Sequence, residues 1–500
     1  MTPRSPGQAS ARRRLSLTTR RRLLGATGGA ALVVGLGAVG RGGAGALGLG
    51  AQATPAGGAA GTPMATPVAP SLFREPPLRV SQEGLLQTSL VARSGPADIV
   101  GRVMTAVTFD GAFPGPTLRV RPGDRLRIDL TNELPEATNL HVHGLHVSPR
   151  DNGDNVFLHI MPGETFTYEY ALPLDHPSGL YWYHPHQHGD SFGQVASGLL
   201  ATIIVEGAID ELPGIAGVPE RLLVLQSSQL TAAGDLLPLK QQSGEILTFV
   251  NGGFQPELPL RPGQTERWRI LNGSADNFLD LQLDGHQFHL IGADGNPLGQ
   301  TWARDRLFLS PGERAEVLIQ PGAPGRYAFR SLAWGEAFQA QNEMLVATMV
   351  VGGEPVAPAP LPTTLLPFEE LTEEMVDKRR ELVFQEPTQS PFTVAIDGKV
   401  FDPHRVDQTV KLGAVEEWLI RNTSPDWHPF HIHVNDFQVV AINGQPVRPR
   451  SGEDTVGVPP DGGEITIRTR FKDFSGKFVY HCHILGHEDL GMMGVVEVIE

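Results

Sequence analysis

The chain of 500 residues contains a single cysteine, Cys482, and only nine methionines. One cysteine cannot form an intrachain disulfide, so the fold depends on its packed core or on bound groups instead. The methionines are spread thinly and form no methionine-rich insert. Strongly apolar runs are also scarce, and beyond the amino terminus no stretch approaches the roughly 20 apolar residues that a membrane-spanning helix needs.

The chain also has fewer basic than acidic residues. The chain has 40 Lys and Arg against 55 Asp and Glu, a formal net charge of -15. Eight of the arginines and none of the acids lie in residues 1–53, so the remainder carries 32 basic and 55 acidic residues, a net charge of -23. A body this acidic argues against nucleic acid as a partner.

The amino terminus has the pattern of an export signal. Arg20, Arg21 and Arg22 precede a weakly apolar Gly- and Ala-rich stretch that runs to about Gly50. This order is typical of a twin-arginine signal, and we predict a signal peptide at 1–53, followed by a flexible Ala/Thr/Pro linker at 54–75. A permanent membrane anchor is the alternative. The predicted location is periplasmic or secreted.

Histidine is concentrated in four short motifs. Cys482 lies between His481 and His483, and His487 and Met492 follow within ten residues. Ten of the 17 histidines are candidate ligands in these motifs: His141, His143, His184, His186, His428, His431, His433, His481, His483 and His487. An isolated His-x-His is more often a pair of ordinary polar residues, but four motifs together favour metal binding.

The segment around Cys482 suits two different metal centres. Thiolate, imidazole and thioether are the ligands of a blue-copper electron-transfer site. Successive side chains on a strand point to opposite faces, so Cys482 faces one way while His481 and His483 face the other. Histidines at i and i+2 start roughly 6 to 7 Å apart, a spacing that suits neighbouring ions in a cluster. The alternative for Cys482 is a small buried hydrophobic residue.

These four motifs resemble those of the multicopper oxidases, the family that includes laccases, bilirubin oxidases and bacterial cuprous oxidases. The resemblance implies four copper ions: one of type 1, one of type 2 and a coupled type 3 pair. It assigns His428, Cys482, His487 and axial Met492 to type 1, His141 and His431 to type 2, and His143, His184, His186, His433, His481 and His483 to type 3. Met493 is the alternative axial ligand. His188 is a spare histidine that the family pattern does not require.

An internal repeat predicts the domain organisation. Residues 122–132, 262–272 and 412–422 align without gaps, and the same register places Leu281 and Leu283 where the outer copies have histidines. We therefore predict domains at 76–207, 208–354 and 355–500, with the copper ligands contributed by the first and third.

The composition favours an all-β chain. Short runs rich in branched residues are bounded by Gly or Pro, of which there are 58 and 42. By the resemblance, each repeat is a cupredoxin-like Greek-key β-barrel. Residues 367–380 are interpreted as a short acidic helix or an ordered linker into the third domain.

The resemblance also implies a reaction. A donor would be oxidised at the type 1 copper, and electrons would pass from the Cys482 sulfur through the backbone to His481 or His483, where dioxygen is reduced to water. Glu488 and Asp154 match acidic positions that deliver protons in related enzymes. The alternative for each is an ordinary surface carboxylate.

The electron donor is less constrained by the sequence. The scarcity of methionine favours a laccase-like oxidation of phenols and aromatic amines, and oxidation of Cu(I), Fe(II) or Mn(II) is the alternative. A non-catalytic copper-binding or assembly protein on the same scaffold is a second alternative. A copper nitrite reductase is excluded because its pattern does not place histidine on both sides of the type 1 cysteine. We expect a monomer whose partners are dioxygen and a small donor.

Overall fold

The computed structural model describes residues 70–229, 236, 246–335, 339–386 and 393–500. The predicted signal peptide and linker residues 54–69 lie outside the described residues. Within the rest of the predicted linker, the Ser71 backbone N–H donates to the Phe254 carbonyl at 2.9 Å, so this stretch is packed against the second repeat. Among the described residues, none forms a helix long and apolar enough to span a membrane.

The first repeat forms two packed sheets. Its elements are β1 (Leu78–Val80), β2 (Leu85–Ile99), β3 (Arg102–Phe109), β4 (Thr117–Val120), β5 (Arg125–Asn132), β6 (His141–His143), β7 (Thr165–Ala171), β8 (Gly179–His184), α1 (Ser191–Ala196) and β9 (Ala201–Val205). The strand orders are β1-β4-β9-β8-β6 and β3-β2-β5-β7. Along β5, Leu126, Ile128 and Leu130 are buried at period two, which places one apolar face of this strand in the core.

The second repeat has the same plan. Its strands are β10 (Glu220–Gln229), β11 (Ile246–Val250), β12 (Gly253–Phe254), β13 (Glu257–Leu260), β14 (Glu266–Asn272), β15 (Leu279–Leu283), β16 (Phe288–Ala293), β17 (Asn296–Arg304), β18 (Leu307–Leu309), β19 (Arg314–Ile319), β20 (Gly325–Ser331) and β21 (Met344–Val351). They form sheets in the orders β12-β11-β10-β14-β19-β16-β17 and β13-β21-β20-β15-β18.

The third repeat completes the chain. Its elements are β22 (Lys378–Gln385), β23 (Ala395–Ile396), β24 (Gln408–Lys411), β25 (Val415–Asn422), β26 (His428–Ile432), β27 (Phe437–Ile442), β28 (Gln445–Pro446), β29 (Thr455–Val458), β30 (Gly463–Arg470), β31 (Gly476–Cys482), α2 (Leu485–Asp489) and β32 (Met493–Ile499). The sheet orders are β23-β22-β25-β30-β27-β28 and β24-β32-β31-β26-β29.

Equivalent strands occupy equivalent places in the three repeats. β5, β14 and β25 each pair in parallel with an earlier strand and antiparallel with a later one. These are the strands of the segments that align without gaps in the sequence. In all three repeats, neighbouring strands of a sheet are often not consecutive in the chain, as in a Greek key. This confirms the predicted fold of three cupredoxin-like Greek-key barrels. The exact domain bounds stay a prediction; the sheet pairs span 78–205, 220–351 and 378–499.

Residues 367–380 form an ordered connection with little helix. The only helical turn described there is a 3-10 turn at Glu373–Met375, and β22 begins at Lys378. Of the two interpretations, the ordered linker is confirmed and the acidic helix is wrong. Glu369 pairs with Arg470, and the Gln438 side chain donates to the Glu369 carbonyl, so polar contacts hold this connection in an extended path.

A core shared by the three repeats lies beside the predicted cluster. Leu180 of the first repeat, Leu271 of the second and Leu485 of the third belong to one buried apolar group, which also contains Trp182. Burying each such side chain contributes about 1.5–3 kcal/mol, so this group stabilises the contact among the three repeats.

Candidate metal centres

The cysteine site is built where three elements of the third repeat meet. Cys482 ends β31, His428 begins β26 and His487 lies in α2. The Cys482 Sγ atom is 3.4 Å from His428 Nδ1 and 3.9 Å from His487 Nδ1, and those two nitrogens are 3.3 Å apart. Three soft or borderline donors therefore converge on one point. Cys482 and His428 are fully buried, whereas the His487 side chain keeps 17 % of its surface exposed.

Met492 is placed beside this site. Its backbone N–H donates to the His487 carbonyl at 2.8 Å, its carbonyl accepts from the Cys482 N–H at 3.0 Å, and its side chain packs in the same apolar cluster as Cys482. Met493 packs instead with Val156 and Val479. The arrangement favours Met492 over Met493 as the axial neighbour of the cysteine.

Burial decides the charge states at the cysteine site. It raises the pKa of the Cys482 thiol and lowers the pKa of His487 to about 4. The imidazoles are therefore neutral, as metal binding requires. A bound cation would be needed to hold the buried sulfur as a thiolate.

The second centre gathers eight histidines from two repeats. They come from β6, β8, β26 and β31 and the residues that follow these strands: His141, His143, His184, His186, His431, His433, His481 and His483. The His481 Nε2 atom lies 3.1 Å from His186 Nε2 and 3.3 Å from His433 Nε2. Burial lowers the pKa of all eight, so a dense group of neutral imidazoles lies between the first and third repeats.

The ring nitrogens divide into bonded and unbonded sets, which shows that metal ions fit here. The Nδ1 atom of His141 bonds to Asp154 at 3.0 Å, that of His184 to the Pro185 carbonyl at 2.9 Å, and that of His431 to the Asp454 carbonyl at 2.8 Å. In each of the three, the opposite Nε2 atom is buried without a hydrogen-bond partner. Such orphaned buried nitrogens are rare unless a metal satisfies them, and the outer bonds fix the tautomer that ligation requires.

His143 has the reverse tautomer. Its Nε2 atom bonds to Asp454 Oδ1 at 3.0 Å, and its Nδ1 atom is the one without a partner. His483 has no hydrogen-bond partner at either nitrogen, and its ring centre lies 4.9 Å from that of His143. His188 is exposed and contacts Phe401 at 4.9 Å between ring centres, so the structure leaves this histidine outside the cluster.

Both predicted carboxylates touch the cluster. Asp154 is buried, bonds to His141 and accepts from the Val142 N–H at 3.0 Å. Glu488 is also buried and lies 3.4 Å from the Nδ1 atoms of both His186 and His481. Ser191 Oγ donates to Glu488 Oε1 at 2.8 Å, while Oε2 has no hydrogen-bond partner. Burial raises the Glu488 pKa well above its ordinary value.

Sequence reasoning missed two further acidic residues. Asp454 contacts the cluster through His143 and His431, and Glu386 Oε1 lies 3.4 Å from both His428 Nε2 and His487 Nδ1 beside the cysteine site. Burial, followed by repulsion from Asp426, raises the Glu386 pKa to about 7. Neither residue belongs to a motif whose spacing marks it, so no sequence signal could have identified them.

The middle repeat differs from the outer two in strand register as well as in having leucines at the histidine positions. His141 pairs with His184 on neighbouring strands of the first repeat, and His431 pairs with His481 in the same way in the third. In the middle repeat Leu281 pairs with Ser331, one residue later than the equivalent Arg330. A slip of one residue reverses the face of each side chain. Arg330 accordingly forms ion pairs with Asp284 and Glu343 outside the barrel.

Comparison with known proteins agrees with this geometry. Three family models described as multicopper oxidase match residues 92–209, 226–353 and 375–500.

The chain belongs to the multicopper oxidase family.

This makes the protein a copper-binding oxidoreductase. The multicopper oxidase mco of Staphylococcus aureus is 28 % identical over 427 residues, which cover 83 % of this chain and 89 % of that protein. The cell division protein FtsP of Edwardsiella tarda is 30 % identical over 455 residues, covering 86 % of this chain and 93 % of its own. Among solved structures, a multicopper oxidase from Campylobacter jejuni described as a metallo-oxidase is 30 % identical with a TM-score of 0.77, covering 86 % and 96 %.

Proposed function

We propose that this multicopper oxidase takes electrons singly from small phenolic or other aromatic donors and reduces dioxygen to water with four copper ions. The observation that carries the proposal is the meeting of two donor sets on one strand. Cys482 converges with His428 and His487, while its neighbours His481 and His483 belong to the eight-histidine cluster.

Each copper has a proposed set of side chains. Type 1 takes His428, Cys482, His487 and Met492; type 2 takes His141 and His431; the type 3 pair takes His143, His184, His186, His433, His481 and His483. When bound, copper supplies the redox chemistry of donor oxidation and of dioxygen reduction.

The protein gives the donor access to the cysteine site, connects that site covalently to the cluster and keeps bulk water away from the cluster. The 17 % exposed edge of His487 is where a donor can approach the cysteine site. The peptide bonds from Cys482 to His481 and His483 link this site to the cluster through a few covalent bonds. Buried apolar residues around Trp182 exclude bulk water from the cluster, which strengthens the electrostatic interactions inside it.

Two carboxylates are proposed to deliver the protons that water formation consumes. Glu488 is the better placed because its Oε2 atom is within 3.4 Å of His481 and has no hydrogen-bond partner, so it can hold a proton beside the reacting centre. Asp154 sits against His141 and His433, at 3.0 and 3.7 Å. Its shared contacts suit it to orienting these rings as well as to passing protons.

A metal-ion donor is the second candidate, and a specific observation favours it. The carboxylate of Glu386 lies beside the cysteine site with Asp426 nearby, an arrangement that attracts a cation. The Campylobacter jejuni neighbour is described as a metallo-oxidase. The aromatic donor stays the first proposal because the chain has only nine methionines and no methionine-rich insert that would supply soft Cu(I) ligands.

The test is copper quantification followed by oxygen uptake with a phenol, Cu(I), Fe(II) and Mn(II) in parallel. The proposal predicts about four coppers per chain, blue absorbance and the fastest uptake with the phenol. Faster uptake with a metal ion would replace the aromatic donor by the metallo-oxidase assignment, and Glu386→Gln would then slow metal oxidation selectively. Full copper loading without uptake for any donor would favour a non-catalytic role on this scaffold.

We also propose that the protein acts as a monomer after twin-arginine export to the periplasm or cell exterior. Folding around copper before export suits that route. Replacing Arg21 and Arg22 by lysine should retain the protein in the cytoplasm, which fractionation of expressing cells would detect. Unchanged export of the double variant would contradict the signal assignment.

A further inference from the structure

Asp454 connects the ligands of the two outer repeats. Its Oδ1 atom accepts from His143 Nε2 at 3.0 Å, and its backbone carbonyl accepts from His431 Nδ1 at 2.8 Å. The Thr455 hydroxyl donates to the same Oδ1 atom at 2.8 Å. One residue thus fixes the ring orientation of a proposed type 3 ligand and of a proposed type 2 ligand, and it does so from a fully buried position.

The middle repeat reaches this carboxylate through Arg314. The guanidinium Nη1 and Nη2 atoms donate to the two Asp454 carboxylate oxygens, each at 2.7 Å. Its Nε atom donates to the Leu180 carbonyl of the first repeat at 3.1 Å, and Nη1 also donates to the Gly312 carbonyl at 3.3 Å. Arg314 therefore bonds to all three repeats at once. The paired donors set the plane of the Asp454 carboxylate, which a single point charge would leave free to rotate.

The backbone next to the Arg314–Asp454 pair has a glycine where a side chain would clash with the pair. Gly144 follows His143 directly and has a φ of +85°. A Cβ atom there would lie 2.4 Å from Asp454 Oδ2 and 2.5 Å from Arg314 Nη2. The His-x-His-Gly segment of the first repeat thus accommodates an arginine from the second repeat and an aspartate from the third.

We infer that Arg314 is a positioning residue for the histidine cluster and that it acts through Asp454. The middle repeat, which provides no ligand, then contributes to the metal centre by holding the carboxylate that orients His143 and His431. This inference rests on the copper assignment proposed above. It predicts that the cluster loses copper when the bidentate pair is removed, while the cysteine site, whose ligands Arg314 does not contact, keeps its own.

The test compares the copper content, the blue absorbance and the type 2 electron paramagnetic resonance signal of Arg314→Met with those of the parent protein. We expect the variant to lose at least one copper per chain from the cluster and to keep its blue absorbance. Arg269→Met is the matched control: Arg269 is an equally buried arginine of the same sheet that pairs with Glu316 and Glu220. The control should retain the copper content and the type 2 signal of the parent.

Two further variants separate positioning from general structural support. Asp454→Asn should lose copper from the cluster as well, and the double variant should lose no more than Asp454→Asn alone, because Arg314 acts on the cluster through that carboxylate. Arg314→Lys keeps the charge but not the paired donors, so a shifted type 2 signal is expected even if Arg314→Met fails to fold.

A copper-loaded Arg314→Met protein with the parental type 2 signal would overturn this inference and leave the proposed function intact. An unchanged signal in Arg314→Lys, or copper losses that add in the double variant, would overturn it too. A parent chain that binds no copper would overturn the proposed function and this inference together.

Discussion

Replacing Gly144 by alanine probes how tightly the three repeats meet beside the cluster. The φ of +85° at this position costs an alanine about 1–2 kcal/mol. The new Cβ atom would also lie under 3 Å from Asp454 and Arg314, which cannot retreat without breaking their 2.7 Å ion pair. Overpacking of this kind costs about 1–3 kcal/mol. We therefore expect Gly144→Ala to destabilise the protein by about 2–5 kcal/mol in total.

Gly163 provides the control for backbone strain. It lies in the same repeat with a φ of +82°, and a Cβ atom there would meet nothing within 4 Å. Gly163→Ala should therefore cost only the strain, about 1–2 kcal/mol. The assay is thermal unfolding of both metal-free variants under identical conditions, with copper content measured after loading. Equal unfolding temperatures and equal copper content for the two variants would refute the packing argument.

Three other substitutions test separate parts of the account. Cys482→Ser should abolish the blue absorbance and donor-driven oxygen uptake and lower the copper content by one; retained blue colour would remove the cysteine from the metal site. Glu488→Gln should keep the blue absorbance and slow dioxygen reduction by about 10²- to 10⁴-fold, the usual contribution of a positioned acid, and unchanged turnover would end its proton role. Burial lowers the His176 pKa to about 4, so the folded state resists a proton that the unfolded chain accepts near pH 6.5. The metal-free protein should lose stability as the pH falls from 6.5 to 4, and His176→Gln should reduce that loss by about 3 kcal/mol in denaturant titrations at the two pH values. An equal acid sensitivity of parent and variant would contradict this.

The candidate ligands could be predicted because local spacing fixes them. Alternation along a strand decides that His481 and Cys482 face opposite sides, and the repeat decides that His431 is equivalent to His141. The structure pairs His431 with His481 and His141 with His184 in that register. Patterns of period two and gap-free repeats are properties of the chain itself, so these features need no knowledge of distant contacts.

The supporting residues could not be predicted because tertiary packing alone selects them. Asp454 lies 311 residues from the His143 ring that it contacts, and Arg314 lies 140 residues from Asp454. Nothing in the neighbourhood of either residue distinguishes it from the many surface charges of the chain. The pairing of Leu281 with Ser331 could not be predicted for the same reason, since the register between β15 and β20 is set by contacts between separate segments of the chain.

The most direct test of the account is a crystal structure of the copper-loaded protein with anomalous scattering recorded at the copper edge. If the copper assignment is right, one copper peak lies beside Cys482, His428 and His487 and three peaks lie among the eight histidines, with His481 and His483 turned toward those three. Peaks elsewhere, another metal at these positions, or either of the two imidazoles turned away from the three peaks would contradict it.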